Sequence, residues 1–471
     1  VSTLADIGDR LASVEAVVAV SGEPVWRHEI VLPGALDPVS VAAALRGGRR
    51  TMLLRAERDP VARVVLAVGE LAVVSTGVRA DSAGGIATPT ILQQAIAFLD
   101  DLQLRDAVLP EERRWFGVLG FDAIRDFERL GPEKDQDLPV YDFFLPEAIV
   151  SFEPESVRVV GRGTTPPTAA RVCDHVVEAI VGSRPAVFAE PSTSPGVFTF
   201  GAADYADAVT AAKQHIVDGD VFQVVLSVGV TAESDADGLA VYRELSRFNP
   251  SPYQFWYSAG AFEVAGCSPE PCVELADGLA LVRPLAGTRP RGARRQDDLR
   301  AERDLLGSHK ELAEHRMLVD LARNDLGRVC DPGTVTVPRL LGVERFSHVM
   351  HLTSEVTGRL AADRTVADLI QATFPAGTMT GAPKLRAIEV IDELEPRGRG
   401  LYSGAVGSFG PEGVDLVLVI RSVVLTGGRI RIQAGGGIVY DSDAKHERDE
   451  CFAKLAAPAR AVRLDLGGKL R

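Results

Sequence analysis

Cysteine is scarce and scattered in these 471 residues. Cys173, Cys267, Cys272, Cys330 and Cys451 are odd in number and include no CxxC pair, which fits reduced thiols rather than a disulfide framework. Long apolar runs are missing too: none reaches the ~18 residues that cross a bilayer. The opening VSTLADIGDR has no basic-then-apolar leader pattern. Positive charge is in deficit. A net charge of −14 excludes the basic stripe of a duplex binder and docking on anionic lipid. It does not exclude a small anionic ligand, because a pocket can be locally basic on an acidic protein. Neither GxxxxGK[ST] nor GxGxxG in a strand–helix setting occurs. A cytoplasmic enzyme with no nucleic-acid or membrane partner is the simplest class left.

What is present supports a large core. Hydrophobic residues make up 46% and charged residues 25%, an ordinary globular balance that argues against general disorder. The length suits two to three domains, or one large domain with an added lobe. SRPAVFAEPSTSPG (183–196) is rich in Pro and Ser and reads as a connector between an N-terminal lobe, 1–183, and a main region, 197–466. In the first lobe, 61–75 reads as a strand pair turning near Gly69, and 89–104 has helical spacing. Beyond the connector, 205–220 reads as an amphipathic helix ending at Gly219, with a strand at 221–230. A helix with an apolar stripe fits 309–327. The runs 415–425 and 429–440 read as antiparallel neighbours joined at Gly427-Gly428. Helices mixed with hairpin-joined strands predict an α+β fold.

Several residues ask for chemistry. Glu311 and Glu314 lie three apart on a predicted helix and so share a face. Glu447 and Glu450 repeat the spacing, with Lys454 one turn on. Four carboxylates from two helices suit a hard cation such as Mg²⁺, although i,i+3 acids are also common on solvated helices. Arg421 interrupts LVLVIRSVVL, a run that reads as buried, so its guanidinium needs either an internal carboxylate or a bound one. Gln223 shares a strand face with Val221 and Val225, opposite Phe222, Val224, Leu226 and Val228; taken alone, it reads as a half-exposed strand residue. The segments 374–384 (FPAGTMTGAPK) and 434–438 (AGGGI) are either ordinary turns or backbone nests for an anion. His351 and Glu270 are acid–base candidates, or else a core histidine and a loop charge.

Nine ordered stretches between about 200 and 465 together resemble the chorismate-utilising family, which includes anthranilate synthase large subunits, aminodeoxychorismate synthases, isochorismate synthases and salicylate synthases. They are GDVFQVVLS (219–227), NPSPYQF (249–255), GCSPE (266–270), RPLAGTRPRG (283–292), KELAEHRMLVDLARNDLGRV (310–329), FSHVMHLTSEVTG (346–358), FPAGTMTGAPKLRAIEVIDELE (374–395), RGLYSGAVG (399–407) and AGGGIVYDSD (434–443). The first ~180 residues match loosely, around 115–122. The resemblance implies one chain fold of two α/β layers around large antiparallel sheets, with the active site in the cleft between them. It implies Mg²⁺ on Glu311, Glu314, Glu447 and Glu450. It implies that Arg421, Tyr402, Lys454 and the backbone of Gly435, Gly436 and Gly437 hold the chorismate carboxylates, with Thr288 and Thr378 lining the ring site. Glu270 corresponds to the acid that protonates the departing C4 hydroxyl, and His351 to the group near C2 involved in losing the enolpyruvyl chain.

Three positions discriminate within the family. Water-using members carry a lysine base where this chain has Gln223, so ammonia is the expected nucleophile. Aminodeoxychorismate synthases typically carry PIKGT, whose lysine attacks C2; here the segment is PLAGT, with Ala286 before Gly287, so amination at C2 is expected. Tryptophan-inhibited members carry LLES and NPSPYMF. This chain has LLRA (53–56) and NPSPYQF, and the replacements Arg55 and Gln254 imply weak tryptophan feedback. The expected product is 2-amino-2-deoxyisochorismate, followed by pyruvate elimination to anthranilate. A synthase that stops at the intermediate, as in secondary metabolism, and an aminodeoxychorismate synthase are the alternatives. No GxCxGxQ glutaminase segment is found, so ammonia is expected from a separate glutamine amidotransferase subunit, in a homo- or hetero-oligomer.

Overall fold

Side-chain alternation along the strand Tyr253–Ser258 shows how the layers are built. Tyr253, Phe255 and Tyr257 project to one face and join an apolar cluster with Met52, Phe116, Phe144, Val264 and Val406, while Trp256 projects to the other face and packs with Leu53 and Leu245. The computed structural model describes residues 14–15, 25–58, 61–76, 90–101, 112–131, 134, 137–292, 294–346 and 349–466. Within these, an eleven-stranded and a twelve-stranded sheet lie face to face. The first cluster fills the space between them, and full burial of an aromatic such as Phe255 contributes about 2–3 kcal/mol before entropy costs. Two further clusters lie on the outer faces. One joins the eleven-stranded sheet to helices Ile91–Asp101, His309–Gly327 and Val366–Thr373. The other joins the twelve-stranded sheet to helices Pro38–Leu45, Pro166–Val181, Gly238–Phe248 and Ala444–Ala461. The expected α+β fold with large antiparallel sheets is what the chain adopts.

Each sheet mixes strands from both sides of the 183–196 connector. Trp115–Leu119 pairs with Ala405–Gly410 in the first sheet, and Thr51–Arg58 pairs with Tyr253–Ser258 in the second. Among the described residues, no helix is long and apolar enough to cross a membrane. The five cysteines are buried and unbridged.

Helix expectations hold with small shifts. The predicted 309–327 helix spans His309–Gly327, started by Ser308, whose hydroxyl accepts from Glu311 N at 3.4 Å. The 205–220 helix is Ala202–Val217, and the 89–104 helix is Ile91–Asp101, with 89 and 102–104 outside the described residues. Two strand expectations need correction. The 61–75 run is not a hairpin: Val61–Val68 pairs with Thr51–Arg58 and Ala148–Phe152, whereas Ala72–Thr76 pairs with Tyr141–Leu145 in the other sheet. Gly69, at φ +75°, turns the chain from one layer to the next. The 415–425 run is likewise not one strand. Gly413–Leu418 belongs to the first sheet and Ser422–Thr426 to the second, with the change of sheet at residues 419–421, where Arg421 takes φ +51°. The hairpin Ser422–Thr426 with Arg429–Ile438 does form, turning through Gly427 and Gly428 at φ +54° and +76°.

Candidate active site

The strand Gln223–Glu233 starts the site. Val224, Leu226 and Val228 form one apolar face, as read from the sequence, but Val221 packs with them rather than with Gln223, and Phe222 precedes the strand and is 72% exposed. Gln223 is buried rather than half-exposed. Its Nε2 donates to Glu314 Oε1 at 2.6 Å, and its Oε1 finds no donor among the described residues. The run Gly435–Gly437 is not a turn. It continues the strand Arg429–Ile438 as ladder residues opposite Ser227, Leu226 and Val225. What these glycines supply is missing volume: a Cβ on Gly435 would come within 2.9 Å of Tyr402 Oη, and one on Gly437 within 2.4 Å of Gln223 Nε2. Gly436 faces the C-terminal helix, where an added Cβ would lie 3.3 Å from Glu447 Oε2.

All the sequence-derived site residues except Gly436 line one cleft of about 530 Å³. Glu270 follows the strand Phe262–Ser268 and is 5% exposed. Thr378, on the short helix Gly377–Thr380, donates its hydroxyl to Glu270 Oε1 at 2.8 Å. Burial pushes the carboxyl up to about 8, against smaller opposing effects of Thr378 and Lys454, so at neutral pH it is an acid. His351 lies on Val349–Arg359 opposite Thr288, at a bulge that puts Gly287 at φ +63°. Its Nδ1 is 3.1 Å from Gly287 O and 3.0 Å from Thr288 Oγ1. A carbonyl can only accept, so Nδ1 carries the proton and the Nε2 lone pair is left for other work. Burial lowers the imidazole to about 4, so it is neutral at physiological pH.

The four glutamates reach the cleft from two helices. Glu314 is pushed up to about 7 by burial and then by Glu311, and Glu447 is raised by burial with Glu450 adding repulsion. The other two have cationic partners: Arg289 at 3.0 Å from Glu311, and Lys454 at 2.6 Å from Glu450. Lys454 outweighs burial and holds Glu450 below its ordinary value. Among the described residues, no three His, Cys, Asp or Glu side chains converge tightly enough to hold an ion as placed. The donor set nonetheless suits a hard divalent cation: it is all oxygen, and the mutual repulsion raising Glu314 and Glu447 is what a cation would relieve.

Arg421 lines the same cleft and forms no hydrogen bond or ion pair with another described side chain; desolvation lowers its pKa. Of the two partners considered from sequence, no internal carboxylate among the described residues bonds to it, although Glu450 acts on it through space. Lys454 lines the cleft as well, with Glu450 at 2.6 Å and Gly435 O at 2.8 Å taking two of its three donors. Arg289 and Gln433 also line the cleft and were missed. Arg289 sat in a basic RPRG stretch with nothing to mark Glu311 as its partner, and Gln433 resembled any strand residue.

A second cavity lies between the sheets, lined by Leu54, Ala56 and Tyr253 among others. Arg55 and Gln254 do not line it, because alternation puts them on the opposite strand faces. Two pairs of polar groups face each other in its lining: Arg114 with Asp415 at 2.7 Å, and Tyr253 Oη donating to Glu274 at 2.8 Å.

Comparison with known proteins gives a consistent picture. A family model described as chorismate binding enzyme matches residues 53–460. An anthranilate synthase component 1 from Streptomyces coelicolor is 42% identical over 370 residues, 74% of this chain and 72% of that one. One from Spirochaeta aurantia is 47% identical over 263 residues, 56% of this chain and 55% of its own length, so that match spans about half of each. Among solved structures, anthranilate synthase component I from Streptococcus pneumoniae is similar with a TM-score of 0.71 and 31% identity, covering 91% of this chain and 92% of that one. The menaquinone-specific isochorismate synthase from Escherichia coli has a TM-score of 0.75 over 93% and 95% of the two chains; at 19% identity it shows the fold alone.

Proposed function

The chain belongs to the family of chorismate-binding enzymes, and from that premise we propose that it aminates chorismate at C2 and then eliminates pyruvate to give anthranilate. The observation that carries the reading is one cleft holding a carboxyl kept protonated, Glu270, and a guanidinium kept free, Arg421.

Arg421 binds a substrate carboxylate through its planar fork, with Tyr402 beside it. Ammonia attacks C2, the ring double bonds shift, and the C4–O bond breaks. Glu270 gives its proton to the departing hydroxyl, which leaves as water. Gln223 cannot act as a general base, so water is not activated at C2, whereas ammonia is already a nucleophile. Ala286 offers no amine to bond the ring. Neutral His351, held by Gly287 O and Thr288, presents Nε2 near C2. Loss of the C2 proton and cleavage of the C3–O bond then release the enolpyruvyl group as pyruvate and leave an aromatic ring. Glu311, Glu314, Glu447 and Glu450 would hold Mg²⁺, which supplies neutralisation of the ring carboxylate and of charge developing beside C2. Ammonia comes from a separate glutamine amidotransferase subunit, and the enzyme works in the cytoplasm.

The test mixes the chain with chorismate, Mg²⁺ and ammonium and follows products by mass and pyruvate by a coupled assay. Anthranilate with one pyruvate per chorismate is expected. Accumulation of 2-amino-2-deoxyisochorismate without pyruvate would remove the elimination step. The 4-amino isomer, or unchanged chorismate, would overturn the assignment.

A further inference from the structure

Beneath the cleft lies a buried ion pair that the chemistry above does not use. Glu395 and Arg399 are 3% and 2% exposed and bond twice, Nη2 to Oε1 at 2.7 Å and Nε to Oε2 at 3.1 Å. The remaining hydrogen bonds of the pair reach outward to other elements. Arg399 Nη1 donates to Met379 O at 2.7 Å and to Ser403 Oγ at 3.3 Å, and Nη2 donates to Val225 O at 2.7 Å. Glu395 Oε1 accepts from Ser227 N and Oγ, both at 2.9 Å, and Ser227 Oγ accepts from Gln433 Nε2 at 2.7 Å. The guanidinium also sits 5.8 Å from the Tyr402 ring centroid. Val225, Met379, Tyr402 and Gln433 each line the cleft, and they come from four separate stretches of chain.

We propose that the Arg399–Glu395 pair is a positioning device for the acid of this site: by gripping the Met379 carbonyl it aims the neighbouring Thr378 hydroxyl at Glu270. The inference rests on the functional reading above. Swapping a buried ion pair for apolar groups is often neutral for stability, so a pair converging on four cleft residues points to geometry rather than to fold strength. The planar fork of Arg399 reaches five acceptors, which a lysine cannot reproduce. The charged groups around Glu270 are Lys454 and, beyond Cys272, the Lys384–Asp325 pair at 2.8 Å; His351 and Arg421 line the same cleft. None of these bonds to Arg399, so all stay in place when it is changed.

The Thr378 hydrogen bond favours the carboxylate form of Glu270, so losing it raises that group's pKa further. R399K should therefore lower kcat about tenfold or more with KM for chorismate changed less than about threefold, and should move the alkaline limb of the pH–rate profile upward. T378V should produce the same upward movement, and R399K/T378V should add nothing to it. A slower R399K with an unmoved alkaline limb, or a double variant whose shifts add, overturns the proposal. Should R399K fail to fold, E395Q, which keeps the shape of the pair, serves for the same comparison. A wild-type chain inactive on chorismate would fail the functional reading alone. The positioning is then read from the infrared carboxyl band that E270Q removes, whose titration midpoint should rise in R399K without any substrate.

Discussion

Replacing Glu270 by glutamine separates its chemistry from its burial. With a pKa of about 8, roughly nine in ten Glu270 side chains carry a proton at pH 7; at the ordinary value of 4.5 only about one in 300 would. Burial thus raises the working acid population about 300-fold. E270Q keeps the shape but has no proton to give, so kcat/KM for amination should fall by about 10²–10⁴. In the wild type, kcat/KM should fall as pH rises through about 8, because the protonated form is the competent one. The assay follows chorismate consumption with ammonium adjusted at each pH to hold free NH₃ constant. A stability readout accompanies it. The folded-state pKa is raised, so the unfolded chain ionises first as pH rises and the wild type loses stability between about 4.5 and about 8. Glutamine has no such loss, so the Tm of E270Q minus that of the wild type should grow across that window and level off above it. Activity of E270Q within about threefold of wild type, or a Tm difference flat in pH, would refute the reasoning.

R421Q should raise KM for chorismate, with kcat/KM down by roughly 30- to 1,000-fold, while Tm holds, since the guanidinium has no described partner to lose; unchanged steady-state kinetics would contradict the clamp. Q223K supplies a base where the amide stands, and isochorismate should appear among the products by mass when ammonium is left out; its absence counts against the nucleophile argument. E314Q and E447Q should each raise the Mg²⁺ concentration for half-maximal rate by at least about tenfold, and chelator should abolish turnover; a rate indifferent to chelator removes the cation from the scheme. Tryptophan should inhibit weakly, because Arg114, Asp415, Tyr253 and Glu274 of the inter-sheet cavity are already taken up in two pairs; half inhibition at low micromolar tryptophan would show otherwise.

Locally encoded features were readable. The helix His309–Gly327 carries its own cap and apolar stripe, and the Gly427-Gly428 hairpin its own turn chemistry. Partner choice was not readable, because hydrogen bonds between strands hundreds of residues apart leave no local period. Val61–Val68 and Ala72–Thr76 looked like a hairpin and belong to different sheets. Site residues standing alone as charges in apolar surroundings, such as Arg421 and Glu270, drew notice. Gln223 drew notice through the family resemblance; taken alone on a strand it is ordinary until Glu314 arrives from a helix 91 positions away. Lys454 was noticed one turn beyond Glu450, but that this spacing lets the two pair was not drawn out. The glycines were noticed as backbone donors, and the volume they leave vacant was not noticed.

The residues at 419–421, where the chain leaves one sheet for the other, make the substrate grip a shared property of both layers. Arg421 hangs from a tether whose two ends are sewn into different ladders, so neither layer alone sets its position. Slippage of one layer over the other, however distant its origin, displaces the guanidinium. Interlayer packing around Phe144 and Tyr257 therefore does double duty, as cohesion for the protein and as calibration for its hold on a carboxylate.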